Sequence, residues 1–106
     1  IKRQAADQCL QSASCLLDRY FGAVESRCPK VVERMASYDF EWTDGWGGLK
    51  FVREAKRVGN SSIIRFYGDK LKMQNGFGAW SNMIYSCDID VYTDKFVDVN
   101  VEKGRL

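Results

Sequence analysis

The hydrophobic rhythm of this chain changes once. From Ala5 to Val24, the residues Cys9, Ala13, Leu16, Leu17 and Tyr20 fall three or four positions apart, the spacing that lays one apolar stripe on a helix. The stretch SRCPKVVERMAS, residues 26–37, keeps that period through Cys28, Val31, Val32 and Met35. Ser26 or Cys28 is placed to open it, with Pro29 in a first turn that has no use for its missing N–H. The two segments read either as one bent helix or as an αα-hairpin broken near Gly22. After the connector YDFEWTDGWGGLKF the period becomes two. The expected strands are 49–58, 62–74, 77–91 and 95–102, joined by turns at VGNSS, QNG and VYTDK.

The last two strands fix the faces. Met83, Tyr85, Cys87, Ile89 and Val91 alternate with Asn82, Ser86, Asp88 and Asp90, and Val97, Val99 and Val101 alternate with Asp98, Asn100 and Glu102. Strict alternation is the mark of a sheet covered on one face and wet on the other. The pattern predicts an α+β fold: one or two N-terminal helices on one face of a roughly four-stranded antiparallel meander. One domain over 1–106 fits the length, with a helical part at 1–37 and a sheet at 49–102. No apolar run approaches a membrane span, and no signal-peptide pattern opens the sequence, as would also hold for a mature exported protein.

The four cysteines add a constraint. An even count in a small chain suits an oxidising compartment, and their spacings match no zinc pattern, so no metal is expected. Cys9 and Cys15 on one regular helix would sit about 9 Å apart along its axis, too far to bridge. Either that helix starts after Cys15, or these two do not pair. Cys28 at a helix start and Cys87 on an inward strand position favour Cys28–Cys87, which leaves Cys9–Cys15 by default.

Composition narrows the chemistry. Histidine is absent, which removes the commonest general base and metal ligand; neither catalysis nor a cofactor is expected. The net charge of +2 argues for no nucleic-acid partner. Residues 49–72 are nevertheless locally basic, through Lys50, Arg53, Lys56, Arg57, Arg65, Lys70 and Lys72, either an anionic-partner patch or a solvated strand face. Tryptophan and other aromatics dominate interface hot spots, which nominates Trp42, Trp46 and Trp80, with Phe40 and Phe77 beside them. Trp80, on the polar side of its strand, is the best single candidate, and Arg53 and Arg57 supply adjacent charge. The competing reading is that the aromatics close the end of a small core. Paired carboxylates for hydrolysis are to be sought at Asp39, Glu41 and Asp44, or at Asp88 and Asp90, which would share the solvent face.

Several elements resemble a group of small exported bacterial proteins. They are Cys28, Val32 and Met35 on a helix, Lys50-Phe51 at a strand start, Gly68, the run Gln74-Asn75-Gly76-Phe77-Gly78-Ala79, Tyr85-Ser86-Cys87, and Val97 to Val101. The resemblance covers about three quarters of the chain; residues 36–48 are longer and more aromatic than its pattern, and Cys9 and Cys15 lie outside it. It implies a periplasmic or secreted location, supports the Cys28–Cys87 pairing, and carries no activity with it. The expected role is a non-enzymatic extracytoplasmic domain that binds another protein, in the manner of an inhibitor or immunity protein. The alternatives are a carboxylate-dependent hydrolase and a structural subunit of an envelope or secretion assembly.

Overall fold

The computed structural model describes residues 3–45 and 48–106, except for the side chain of Arg3. A short helix α1 (Arg3–Leu10) is followed by a long helix α2, in which Ala13–Leu16, a π-turn at Leu17–Phe21 and Gly22–Arg34 run without interruption. Among the described residues there are five strands: β1 (Phe40–Trp42), β2 (Lys56–Arg57), β3 (Ile63–Gln74), β4 (Trp80–Asp90) and β5 (Lys95–Lys103). All pairings are antiparallel, in the order β1-β3-β4-β5, with β2 also on the outer side of β3. The expected α+β architecture is therefore present.

The helix break lies at residues 11–12, not near Gly22. Ser12 leaves the helical region at φ −123° and accepts from the Cys15 N–H, the ordinary N-cap arrangement. Gly22 is regular helix at φ −60°, and Pro29 sits within α2 rather than at its start, so the Glu25 carbonyl has no helical donor four residues on. The break resolves the first cysteine pair: by changing the chain's direction it brings the Cys9 and Cys15 Cα atoms to 5.3 Å, and the two are bonded. Neither alternative for one regular helix holds: Cys9 is helical, Cys15 lies on the next helix, and the break between them lets the two pair. Cys28 and Cys87 are also bonded, with Cα atoms 6.5 Å apart, and tie α2 to the central strand.

The core lies between α2 and the sheet. Leu16, Tyr20, Phe21, Val24, Cys28 and Val32 meet Ile64, Phe66, Leu71, Tyr85, Cys87, Ile89 and Val91, all buried. At its centre Tyr85 is edge-on to both Trp42 and Phe51. Its hydroxyl donates to the Lys50 carbonyl and accepts from the Lys70 N–H at 3.2 Å. Gly68 is dictated by this packing, since a Cβ there would lie 2.3 Å from the Lys50 oxygen and 2.7 Å from the Tyr85 hydroxyl.

Four strand expectations need correction. Of 49–58, only Lys56–Arg57 pairs as a strand, with one further bond from Val52 N to Tyr67 O. The Glu25 carboxylate on α2 accepts from both the Lys50 and Phe51 N–H groups and draws that backbone away from β3. The freed edge is filled by Phe40–Trp42, inside the supposed connector. The hairpin after β3 does not turn at Asn75-Gly76 alone. Its loop runs to Ala79, with Gly78 as the left-handed residue at φ 83° and Asn75 Oδ1 accepting from the Phe77 and Ala79 N–H groups. Finally, a bulge shifts the β4–β5 register between Asp88 and Ile89. Phe96 takes the inward position and Val97 is left 50 % exposed.

Candidate functional site

The aromatic candidates separate cleanly. Trp42 is half-buried: its indole N–H donates to Glu33 Oε2 at 2.7 Å, its ring meets Tyr85, and Lys50 Nζ lies 5.2 Å above it. It closes the core, as the competing reading had it. Trp46 lies outside the described residues. Phe40 is also packed against the core. Trp80, opposite Gln74 at the start of β4, is 42 % exposed on the face away from α2.

The residue with least structural justification is Phe77, 98 % exposed at the hairpin tip. The loop that carries it is ordered by its own hydrogen bonds: Asn75 N to Ala79 O, Gly78 N to Asn75 O, and the two bonds to the Asn75 side chain. Nothing in that turn requires an aromatic ring. Beside it, on the helix side of the sheet, Met35, Tyr38, Met73 and Met83 line a mostly apolar groove of about 250 Å³. Tyr38 reaches the hairpin backbone, since a Cβ at Gly76 would meet its hydroxyl at 2.9 Å. The groove, the tip and Trp80 thus occupy one end of the molecule. Three methionines and a tyrosine give that groove a pliable, polarizable lining.

The basic segment does not gather into a site. Arg53 stacks on Phe21 with its guanidinium 5.1 Å from the ring centre. Arg57 closes the 58–62 turn, donating to the Ser61 and Asn60 carbonyls. Lys56 lies over Tyr67, Lys50 pairs with Asp44, and Arg65 pairs with Asp88. These cations mostly serve the local fold.

The acids are similarly committed. Asp88 is on the face expected, yet it is buried beneath Arg65, which grips both of its oxygens at 2.8 and 3.0 Å. Asp90 accepts from the Ser62 hydroxyl and the Tyr92 N–H, and Asp39 accepts from the Phe40 N–H. At the 91–94 turn, Asp94 accepts from Tyr20 and from Arg19 at 3.1 Å; the Tyr20 hydrogen bond, then Arg19, holds its carboxyl below the usual carboxylate range. Burial pushes the Tyr85 phenol well above its ordinary value. Among the described residues no group of three or more His, Cys, Asp or Glu is placed to hold a metal, and no described helix is long and apolar enough to cross a membrane.

Sequence reasoning named Phe77 only in passing and missed the methionine groove. A phenylalanine between two glycines at a loop tip was the available signal. The groove joins the end of α2 to β3 and β4, residues far apart in sequence whose approach only the fold reveals. Comparison with protein-family models, with characterised sequences and with solved structures finds no match to this chain.

Proposed function

We propose that this protein is a non-enzymatic, extracytoplasmic interaction domain that binds another protein through its hairpin end. The single observation that carries the reading is Phe77, almost fully exposed on a loop whose hydrogen bonds hold it in place. Burying such a ring on a partner contributes about 1.5–3 kcal/mol, and a preorganised loop loses little entropy in doing so. Trp80 and the groove beside Met73 and Met83 extend the same contact around the tip. An aromatic anchor flanked by an apolar recess is the composition of an interface hot spot.

Two bonded cysteine pairs suit a periplasmic or secreted setting, in keeping with the resemblance to small exported bacterial proteins. The engagement of Asp88, Asp90 and Asp39 in the fold favours binding over carboxylate chemistry. An inhibitor or immunity-type role, in which a small rigid domain plugs a larger enzyme, fits a projecting aromatic tip.

The test is a photo-crosslinking amino acid placed at position 77 and, as control, at Lys30 on the exposed back of α2, in the producing cell. A discrete protein adduct from position 77 that is absent from position 30 supports the reading. Adducts with lipid alone, the same adducts from both positions, or none from position 77 overturn it.

A further inference from the structure

The two edges of the sheet are built differently. On the β3 side the edge consists of three-residue β1 and two-residue β2, separated by a long excursion; short, interrupted edges are how proteins prevent unwanted strand pairing. On the other side β5 runs nine residues, and among the described residues no strand pairs with its outer edge. The register identifies the groups left open. Gly104 N donates to Asn82 O, in line with the pairing of Lys103 with Met83. Bonding alternates along an antiparallel pair, so Asn100 and Glu102 bond inward to β4, whereas Val99, Val101 and Lys103 present their N–H and C=O groups outward. Among the described residues the Val99 N–H is met only by the Asp98 side chain, at 3.0 Å.

The two sides of this edge have distinct chemistry. On the outer face stand Asp98, Asn100 and Glu102; both acids are exposed and neither forms an ion pair within the described residues, although Asp98 also accepts from Asn100 Nδ2 at 3.0 Å and feels the field of Arg65. On the inner face Val99 and Val101 are half-buried. Above them, α2 packs over β4 and β5. Its Glu25 and Glu33 reach toward Lys50 and Trp42 at the opposite edge. Val31, two positions from Glu33, therefore lies on the far flank of the helix, where it is 40 % exposed. The apolar layer between helix and sheet thus continues past β5.

We propose that the outer edge of β5, from Asp98 to Lys103, is a strand-addition site for an extended segment of another polypeptide that alternates basic and apolar residues. Its carbonyls accept from the Val99 and Val101 N–H groups, its apolar side chains fill the space beside Val31, Val99 and Val101, and its lysines or arginines face Asp98 and Glu102. A basic residue opposite Asp98 also draws that carboxylate away from the Val99 N–H as the incoming carbonyl replaces it. A second copy of this chain paired about a two-fold centred on Asn100 sets Asp98 against Glu102 of the other copy; registers centred on Val99 or Val101 avoid that clash, and the test below separates them from a basic segment. This site is separate from the hairpin end and does not depend on that reading.

The test uses the oxidised, isotope-labelled protein with three blocked octapeptides. One alternates valine with lysine, the second replaces lysine by glutamate, and the third is the lysine peptide N-methylated along one edge. At about 1 mM, the lysine peptide is expected to slow amide exchange at Val99 and Val101 by about threefold or more, consistent with new backbone hydrogen bonds, and to shift resonances from Asp98 to Lys103. The other two leave them unchanged, and Asp98→Lys with Glu102→Lys transfers the response to the glutamate peptide. Equal responses to lysine and glutamate, shifts confined to Phe77 and Trp80, or no response to any peptide overturn the proposal. Protection of Val99 and Val101 in a protein that sediments as a dimer without peptide overturns it in favour of a second copy.

Discussion

Removing the two disulfides separately should have unequal effects, and the inequality follows from the topology. Cys28–Cys87 closes a sequence separation of 59 residues and joins helix to sheet, whereas Cys9–Cys15 spans 6 residues at a helix break. The chain-entropy relation gives about 4 kcal/mol for the long loop and about 2 kcal/mol for the short one at 25 °C. A domain of this length has a total stability of roughly 5–15 kcal/mol, so the first loss is a large fraction of the whole. The perturbation is Cys28→Ala with Cys87→Ala, compared with Cys9→Ala with Cys15→Ala. Each is followed by urea unfolding with circular dichroism. With a slope of about 1.5 kcal/mol per molar, the midpoint should fall by roughly 3 M for the first pair and by about half that for the second. A Cys9/Cys15 variant that loses as much as the Cys28/Cys87 variant would refute the loop argument and place the stabilisation in local packing instead.

Other consequences are as direct. Tyr85→Phe orphans the Lys50 carbonyl and the Lys70 N–H and should cost about 1–3 kcal/mol by denaturation. The buried Tyr85 phenol is favoured neutral, so its contribution is complete below the unfolded value near pH 10 and is lost as pH rises toward the folded one. The alkaline fall in stability, at most about 1.4 kcal/mol per pH unit from one group, should be shallower in Tyr85→Phe. Gly68→Ala drives a methyl group into the Lys50 oxygen and Tyr85 and should destabilise by roughly 1–3 kcal/mol. Asp94 has its carboxyl held low by Tyr20 and Arg19, so its contribution is present above the unfolded carboxylate value and lost as pH falls through the folded one. Asp94→Asn, which also tolerates the φ of 58° at that position, should flatten the stability loss below about pH 4.

Much of the sheet was legible because its signal is local. The alternation of Tyr85, Cys87 and Ile89 with Ser86 and Asp88 declares a face without reference to the rest of the chain. What was not legible came from partners distant in sequence. Glu25 takes the Lys50 and Phe51 N–H groups and so abolishes an expected strand, which lets Phe40–Trp42 occupy the vacated edge. The bulge that turns Val97 outward is invisible to a strict period of two. Asp88 shows the limit for sites: its face was correct, but Arg65, 23 residues away, makes it a buried partner rather than a solvated acid. Trp80 was legible as outward by parity alone. The expected strand 77–91 puts Phe77 at its first position, but the strand begins at Trp80, and the exposure of Phe77 depends on where Gly78 places the turn.

The central claim is that Phe77 serves recognition and not the fold. It is tested most directly by pairing two measurements on one variant, Phe77→Ala, using the partner captured by crosslinking at that position. The account predicts an unchanged unfolding free energy, within about 0.5 kcal/mol, together with at least about a 30-fold weaker dissociation constant, the effect of losing roughly 2 kcal/mol at a hot spot. Equal affinity of the variant and the natural protein, or a loss of affinity matched by a loss of stability, would contradict it.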